Sequence, residues 1–382
     1  MSEYQYYEFQ AIDRPLTEKE IGELRAYSTR ARITPTSFIN DYSWGNFKGD
    51  KDAWMEKYFD AFLYVANWGT HMLKLRLPSR LLDLETVHLY CLGDQAFARE
   101  KNGKIILTFV SEEEGEGDWV EGEGWLSSII SVRAELARGD RRSLYLGWLH
   151  CVLNRELDDE DIEPPVPPGL GQLSASLESL AAFLRIDESL IDVAAQASRP
   201  MVYVKEKQEE FRKWVGKLPA DEKEAVLTRL IAGEDVSAAT ELLRRFVKEY
   251  DQGNQGAAEE PWRRTVGELL RSSVELAEQR RRLAAKKAEE EKTRREREAA
   301  DLRAKHLDKI AGREPQLWNE VENLISTKQP KGYDSAVELL VDLRDLASRK
   351  NEKEEFQARL DSIHVAHARK PSLIERLRKV SL

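Results

Sequence analysis

The stretch FLYVANWGTHMLKLRLPSRLLD, residues 62–83, decides how the first part of the chain folds. Residues 62–66 are a run of mostly large apolar residues, and apolar and polar residues alternate over residues 72–77; both patterns are typical of β-strands. The five residues between these runs have the length of a hairpin loop with a bulge. The sequence therefore predicts a β-hairpin. Trp68 and His71 in its loop are either a ligand-binding tip or a structural corner.

The sequence around this hairpin predicts an α+β domain over residues 1–157. The stretch AFAREKNGKIILTFV indicates a second hairpin, because Asn102 and Gly103 between two alternating runs are the pair that a tight turn favours. The stretch YQYYEFQAI is a further strand. In TEKEIGELRAYS the sequence predicts a helix, with Thr17 as its N-cap and Glu20 completing a capping box.

Shifts in composition divide the rest of the chain into helical segments and linkers. Short amphipathic helices are predicted as a helical domain over residues 173–250, and helical patterning returns in a tail over residues 314–382. The tail segment that begins at Gly332 resembles one tetratricopeptide-like helical hairpin, whereas a repeat array needs about three copies. Two segments rich in acidic residues, Pro or Gly are the predicted linkers: residues 158–172 and 251–261.

Residues 262–313 are predicted to form one long charged helix. Apolar spacing typical of a packed helix occurs near both ends, at Val266, Leu269, Leu270, Val274 and Ala277, and again at Leu302, His306, Leu307 and Ile310. Between residues 285 and 299 the apolar side chains are alanines, and charge pairs such as Glu291 with Arg295 stabilise a helix by a few tenths of a kcal/mol. A coiled coil requires apolar a and d positions over several heptads. We therefore predict a solvated rod, with a coiled coil as the alternative.

Charge is unevenly placed along the chain, whose formal net charge is −10. Residues 260–382 contain 28 Lys and Arg against 23 Asp and Glu, whereas residues 1–259 contain 31 against 46. An acidic first half disfavours a nucleic-acid groove there, since phosphate binding relies on clustered Lys and Arg. Cys91 and Cys151 are too few for a disulfide framework. The start of the chain does not resemble a signal peptide, and no apolar run reaches eighteen residues, so we predict a cytoplasmic protein without a membrane partner.

Several stretches spread over nearly the whole chain resemble a widespread family of uncharacterised bacterial proteins, which has no established activity. They are YYEFQAIDRPLTEKE, ANWGTHMLKLRLP, PPGLGQLSASLESLAAFLRID, RRTVGELL and TKQPKGYDSAVELLVDLRDLA. The last part, EEFQARLDSIHVAHARKPSLIERLRK, is also similar to the helical tail of bacterial SWIM zinc-finger proteins. The zinc motif of those proteins, a Cys-x-Cys followed by Cys-x-His, does not occur in this sequence. The resemblance therefore implies at most a shared docking function, without the zinc and DNA role.

Few residue sets in the sequence carry a recognisable chemistry. The only metal-like set is His88, Cys91, His150 and Cys151, but adjacent residues point about 100° apart on a helix, which is a poor geometry for zinc, so we predict core packing. The carboxylates of residues 111–125 lack the spacing of a calcium loop, and we predict a solvated loop. Neither a phosphate-binding loop nor a hydrolase motif occurs. We predict no cofactor, no metal and no catalytic residue.

The function that we predict is a non-enzymatic interaction or scaffold protein of a bacterial cytoplasmic assembly, with another protein as partner. Its ligand-binding candidates are Trp44, Trp68 and His71. One alternative is an enzyme with a site in the first domain, around Tyr42, Trp44, Trp68, His71 and Asp94. A second alternative is an accessory factor in nucleic-acid transactions that binds phosphates through the basic tail residues Arg369, Lys370, Arg376, Arg378 and Lys379.

Overall fold

A computed structural model describes residues 4–113, 121–201, 208–232, 238–254 and 263–382. It contains a seven-stranded antiparallel sheet in the order β2-β3-β1-β4-β5-β7-β6. The strands are β1 Gln5–Gln10, β2 Arg32–Thr34, β3 Ser37–Tyr42, β4 Ala61–Ala66, β5 His71–Pro78, β6 Ala96–Lys101 and β7 Lys104–Ser111.

Helices make up most of the remaining described residues. Those that accompany the strands are α1 Glu18–Arg25, α2 Lys51–Lys57, α3 Leu84–His88, α4 Trp125–Ile129, α5 Ser131–Ala137 and α6 Arg142–Leu153. The next are α7 Ala175–Phe183, α8 Glu188–Ala195, α9 Gln208–Lys217, α10 Ala220–Ala232 and α11 Ala238–Asn254. The last are α12 Val266–Ile310, α13 Glu314–Ser326, α14 Pro330–Lys350, α15 Lys353–Ala366 and α16 Pro371–Lys379. The predicted α+β domain followed by an all-helical region with one long helix is confirmed.

Both predicted hairpins form, and the second has the predicted turn, whereas in the first the predicted five-residue loop is one residue too long because His71 is the first residue of β5. Strands β4 and β5 pair with Val65 opposite His71, and β6 and β7 pair with Lys101 opposite Lys104. Asn102 and Gly103 both have positive φ, of 53° and 69°, which is the left-handed conformation that a two-residue turn requires at both positions. The Thr17 capping box is also present at the start of α1.

The first face of the sheet packs against helices α3 to α8. Alternate residues of β4 and β5, such as Leu63, Val65 and Leu73, share one hydrophobic core with the helices. Helix α6 is buried over nearly its whole length, and this explains why its sequence is apolar all round rather than amphipathic. Gly147 in this helix has no room for a side chain, because a Cβ there would lie 2.4 Å from the Phe109 ring.

The second face of the sheet packs against α1 and α2. Its core is aromatic: Phe9, Phe38 and Phe62 project from three neighbouring strands, and Trp54 and Phe59 project from α2 and the residues after it. The Phe9 and Phe62 ring centroids are 4.4 Å apart, which is contact distance for aromatic pairs. The sheet is therefore covered by helices on both faces.

The structure divides the chain differently from the predicted domain boundaries. Helices α7 and α8 belong to the core of the sheet rather than to a separate helical domain, and two compact units are found, Met1–Gln279 and Arg280–Leu382. The segment 158–172, predicted as a linker, pairs with the residues before α12 through a bridge between Ile162 and Thr265. The predicted linker 251–261 also starts too early, because α11 continues to Asn254; residues 255–261 lie outside the described ranges.

The second unit is a helical assembly with its own core. Buried residues of α13 and α14, including Val321, Ile325 and Leu340, pack together with Leu360 of α15 and Leu377 of α16. Helices α13 and α14 are antiparallel neighbours joined by the short segment 327–329. The predicted hairpin begins at Gly332, which lies in the first turn of α14; α14 and α15 follow each other from there and share this core.

Helix α12 is buried only at its two ends. Val266 and Leu269 are fully buried in the first unit, and Leu307 is buried in the second unit. From residue 278 to residue 302, every residue except Glu291 is exposed. Three residues of the predicted apolar ends are exposed: Val274 at 58%, Leu302 at 68%, and His306. The buried stripe instead passes through Ser273, one residue before Val274 and therefore about 100° away around the helix.

Candidate functional site

The corner between β4 and β5 is shaped by Gly69. This residue has a φ of +94°, which favours glycine, and a Cβ there would lie 2.7 Å from the carbonyl oxygen of Glu113. Trp68 is 43% exposed at the tip of the corner, whereas His71 is only 4% exposed. Trp68 and His71, the two ligand-binding candidates at this corner, therefore do not form one accessible surface.

Both ring nitrogens of His71 are occupied inside the fold. Nδ1 lies 2.9 Å from the Phe183 carbonyl oxygen, and the guanidinium of Arg185 donates to Nε2 at 3.2 Å. The His71 ring stacks on Phe183 with centroids 4.8 Å apart. Burial lowers the pKa of His71, and the nearby Arg185 lowers it further, against the opposing effect of the Phe183 carbonyl. His71 is therefore a neutral structural residue that attaches the hairpin corner to α7.

Arg185 is the residue at this corner that sequence reasoning missed. Its guanidinium donates to the Gly69 carbonyl and to Ser111 Oγ, each at 3.0 Å, and pairs with Glu113 at 3.2 Å. It has a positive φ of 55° just after the end of α7. A non-glycine residue in that conformation directly after a helix is unusual, but this is visible only in the backbone and not in the sequence.

Trp44 is strongly exposed in the loop between β3 and α2. The residue is 71% exposed, and its ring lies under the guanidinium of Arg30, with 5.4 Å between the guanidinium carbon and the ring centroid. Three residues later, Phe47 turns inward and stacks on Tyr7 with centroids 4.8 Å apart. Gly49 then lets the loop lie close to α2, because a Cβ there would lie 2.7 Å from the Trp54 ring. The loop is thus anchored by Phe47 and displays Trp44.

An open cavity of about 350 Å³ lies between this loop and the second face of the sheet. Tyr7 and Tyr64, which are opposite each other on β1 and β4, form its floor. Residues of the loop and of the first turn of α2 form the walls: Asn46, Phe47, Gly49, Asp50, Lys51 and Asp52. Sequence reasoning did not find this cavity, because Tyr7 lies about forty residues before the walls and 57 residues before Tyr64.

Hydrogen bonds organise the floor of the cavity. The hydroxyls of Tyr7 and Tyr64 donate to Gln5 Oε1 at 2.7 and 3.2 Å, and the Gln5 amide donates to the Gly45 carbonyl at 3.1 Å and to Asn46 Oδ1 at 3.3 Å. Burial raises the pKa of Tyr64 to about 12 and also raises the pKa of Tyr7. Both phenols are therefore neutral at physiological pH, and Gln5 joins the sheet to the loop.

Charged residues on the second face pair around Asp52. The ammonium of Lys74, which is 4% exposed in the sheet, donates to Asp52 Oδ1 at 2.7 Å, and Arg99 lies 3.3 Å from the same oxygen. Burial lowers the pKa of Lys74, against the opposing effect of Asp52. The lysine is held beside the cavity wall as a partner of Asp52.

A second ionic group holds the start of α12 to the sheet domain. Glu163, in the segment 158–172, accepts hydrogen bonds from Tyr145 and from Arg264, whose Nη2 lies 2.7 Å from Glu163 Oε1. Arg264 also donates to the carbonyls of Val193 and Ala194 at the end of α8, at 2.6 and 3.3 Å. Glu163 is 2% exposed, so this group is structural and inaccessible to a ligand.

The metal-like set is not assembled. Cys91 and Cys151 are buried free cysteines, and burial raises the pKa of both thiols, that of Cys151 to about 12. His150 Nε2 lies 2.7 Å from the Val110 carbonyl, and His88 is exposed at the end of α3. Within the described residues, no group of three or more His, Cys, Asp or Glu side chains is placed to hold a metal ion. Part of the acidic loop, residues 114–120, lies outside those residues.

The residues proposed for an enzyme site do not converge. Tyr42 contacts Tyr7 on the second face, with centroids 5.7 Å apart, whereas His71 packs on the first face with Phe183. Asp94 is exposed in the segment between α3 and β6. A shared reacting centre requires these groups within hydrogen-bond reach of one another, and the sheet lies between them.

Three of the five basic tail residues make contacts within their own unit. The Lys370 ammonium donates to the Ile325 carbonyl at 3.1 Å, Arg376 pairs with Asp334 at 2.5 Å, and Lys379 pairs with Glu375 at 3.1 Å. The remaining two, Arg369 and Arg378, are exposed. These contacts reduce the positive charge that the tail offers to phosphates.

Comparison with known proteins identifies no relative of this chain. No family model, no curated protein and no solved structure matches the chain. Among the described residues, no helix is long and apolar enough to cross a membrane.

Proposed function

We propose that the protein is a non-enzymatic interaction protein of a bacterial cytoplasmic assembly, in which two folded units on one chain contact protein partners. The observation that carries this proposal is the burial pattern of α12. Its first turns belong to the core of one unit, its last turns pack in the other unit, and residues between them are exposed. A helix that is polar on all sides is typical of a connection between domains.

The way in which the buried polar groups are paired supports this proposal. Asp60 with Arg76, His71 with Arg185, and Glu163 with Arg264 each satisfy their hydrogen bonds within the protein. A catalytic group must instead direct a donor, acceptor or nucleophile towards a substrate. These pairs stabilise the fold, and that is the role expected of polar groups in a protein that acts through its surface.

Helix α10 carries an apolar stripe that the described structure leaves uncovered. Leu227, Leu230 and Ile231, spaced three and four residues apart, are 58%, 42% and 85% exposed. An exposed apolar cluster is a common feature of protein contact surfaces. The test therefore places a charge in this stripe, at Ile231. The control places the same charge at Ala225, on the other side of the same helix.

The test is isolation of the tagged full chain, at its native expression level and under gentle lysis, followed by measurement of the mass of the complex. We expect a stoichiometric protein partner that the Ala225→Glu control retains and the Ile231→Glu variant releases. Recovery of free monomer alone, after chemical cross-linking in intact cells as well, would contradict the proposal.

A further inference from the structure

The cavity on the second face of the sheet has the size of a small-molecule site. Its volume of about 350 Å³ lies within the range of ligand pockets in proteins. The floor is the rigid sheet, where Tyr7 and Tyr64 are fixed by hydrogen bonds to Gln5. The walls are fixed as well, since Phe47 stacks on Tyr7 and Asp50 caps α2. The cavity is therefore preformed.

Unused hydrogen-bonding groups of both kinds line this cavity. Asp50 Oδ1 accepts from the backbone N–H groups of Asp52 and Ala53 at 2.9 and 3.1 Å, which leaves Oδ2 without a hydrogen bond among the described residues. Within the same residues, neither the Lys51 ammonium nor the amide nitrogen of Asn46 donates to another group. A molecule bound in this cavity could therefore both accept hydrogen bonds from it and donate hydrogen bonds to it.

The charges around the cavity balance. Asp52 pairs with Lys74 at 2.7 Å, and Arg99, which lies 3.3 Å from the same oxygen, also pairs with Glu56 at 3.2 Å. Asp50 and Lys51 are neighbours in the wall, so the carboxylates of Asp50, Asp52 and Glu56 stand against the cations of Lys51, Lys74 and Arg99. A cationic ligand would be repelled by the two lysines and the arginine, and an anionic ligand by the three carboxylates. A purely apolar ligand would leave the exposed polar groups of the wall without partners. The balance favours a neutral molecule with many hydroxyls.

Aromatic rings complete the chemistry of the site. The half-buried ring of Tyr64 and the ring of Phe47 line the same cavity as the polar groups. A sugar ring combines an apolar face of C–H groups, which packs on aromatic rings, with a rim of hydroxyls that donate and accept hydrogen bonds. We propose that this cavity binds a single neutral sugar unit, with Asp50, Lys51 and Asn46 bonded to its hydroxyls. This proposal is independent of the proposed scaffold function.

The experiment compares sugars of one ring size that differ in charge. The full chain is titrated with glucose, galactose and mannose, and with glucosamine and glucuronate at a pH where both are ionised, and binding is followed by saturation-transfer NMR and calorimetry. We expect at least one neutral hexose to bind saturably, with its C–H protons receiving saturation, and both charged sugars to bind more weakly. Absence of saturable binding by all three neutral hexoses, or tighter binding of glucosamine or glucuronate, would overturn the proposal.

Variants locate the binding site. Asp50→Ser keeps a hydroxyl that can cap α2 but removes the carboxylate, so the fold is retained while the affinity falls about tenfold, as for one lost charge-assisted hydrogen bond. Asn46→Ala should weaken binding less. Lys48→Ala is the matched control, because Lys48 is exposed in the same loop and does not line the cavity. Unchanged affinity in both Asp50→Ser and Asn46→Ala would place the sugar elsewhere and refute the assignment.

Discussion

Asp60 and Arg76 form a buried ion pair on the second face of the sheet. Arg76 Nε and Nη2 donate to Asp60 Oδ1 at 3.1 and 2.7 Å, and Asp60 Oδ2 accepts from the backbone N–H groups of Ile12 and Asp13. Burial of the Asp60 carboxyl acts to raise its pKa, but Arg76 and these N–H groups outweigh burial, so the pKa lies below its ordinary value. The pair connects β5 with the segment that follows β1.

Removing one charge of this pair should destabilise the protein strongly. Asp60→Asn leaves the Arg76 guanidinium buried without a counter-charge, and we expect a loss of about 3–5 kcal/mol in the free energy of unfolding, measured by urea denaturation near neutral pH. Because the folded pKa is depressed, the stabilisation is present above the ordinary pKa of Asp and is lost as the pH falls through the folded pKa. The difference between the proteins should therefore shrink in acid. Asp41→Asn, at an exposed position of β3, is the control and should change stability little. A difference that stays constant down to strongly acidic pH would contradict this account.

The two buried histidines of the sheet domain should have opposite tautomers. A carbonyl oxygen only accepts, so His71 must carry its proton on Nδ1, which faces Phe183, and His150 must carry its proton on Nε2, which faces Val110. Nitrogen-15 NMR of the imidazole rings distinguishes the two forms, and each histidine serves as the control for the other. Burial lowers the pKa of both rings, so each contributes stability that is present above the ordinary pKa of His and is lost as the pH falls below it. Identical tautomers, or a ring that is protonated near neutral pH, would be incompatible with these contacts.

At the scale of elements, α12 depends on different forces along its length. Its ends are held by burial, and its exposed middle is supported by ion pairs such as Glu291 with Arg295 at 3.0 Å. Exposed pairs of this kind contribute a few tenths of a kcal/mol each and are weakened by salt. The middle of α12 has too little apolar surface to offset the entropy lost on association.

A peptide of residues 266–310 should therefore be partly helical, and its helicity should not depend on concentration. We expect circular dichroism to show a modest loss of helix in high salt, because the supporting ion pairs are exposed. Sedimentation should show a monomer. A peptide that gains helix cooperatively on concentration and sediments as a dimer at micromolar levels would instead show that this segment dimerises the protein.

At the scale of the whole molecule, the described residues form three hydrophobic cores, two in the first unit and one in the second. The larger core of the first unit joins the first face of the sheet to α3–α8 and the start of α12, its aromatic core lies on the second face, and the core of the second unit is formed by α13–α16. Each core buries its own leucines completely, for example Leu63 and Leu340. Separate cores allow separate unfolding transitions.

Core truncations should therefore act on one unit at a time. Leu63→Ala should destabilise the first unit and Leu340→Ala the second, each by about 2–5 kcal/mol, because each leaves a cavity in a packed core. Hydrogen exchange read by mass spectrometry measures the two units separately in the full chain, and each variant is the control for the other. If either substitution accelerated exchange equally in both units, the chain would fold as a single cooperative body.

Much of the fold could be predicted because its signals are local. The two strands of residues 62–77, the Asn102-Gly103 turn and the Thr17 capping box each depend on neighbours within a few residues, and each forms as predicted. The candidate sites were less predictable. Trp44 is exposed as a binding residue would be, but His71 is a buried structural residue, and the cavity beside Tyr64 was not foreseen. Its floor combines Tyr7 with Tyr64, which only the pairing of β1 with β4 brings together.

By itself, the sequence determined the secondary structure, the two hairpins and the exposed middle of α12, because these follow from hydrophobic periodicity, turn chemistry and charge spacing. Only the tertiary structure decided which segments share a core. The segment 158–172 is acidic and rich in proline, which is typical of a linker, yet Glu163 lies buried against Arg264, about a hundred residues later in the chain. A buried carboxylate is stable only when a partner compensates its lost hydration, and that partner cannot be identified from the residues around it.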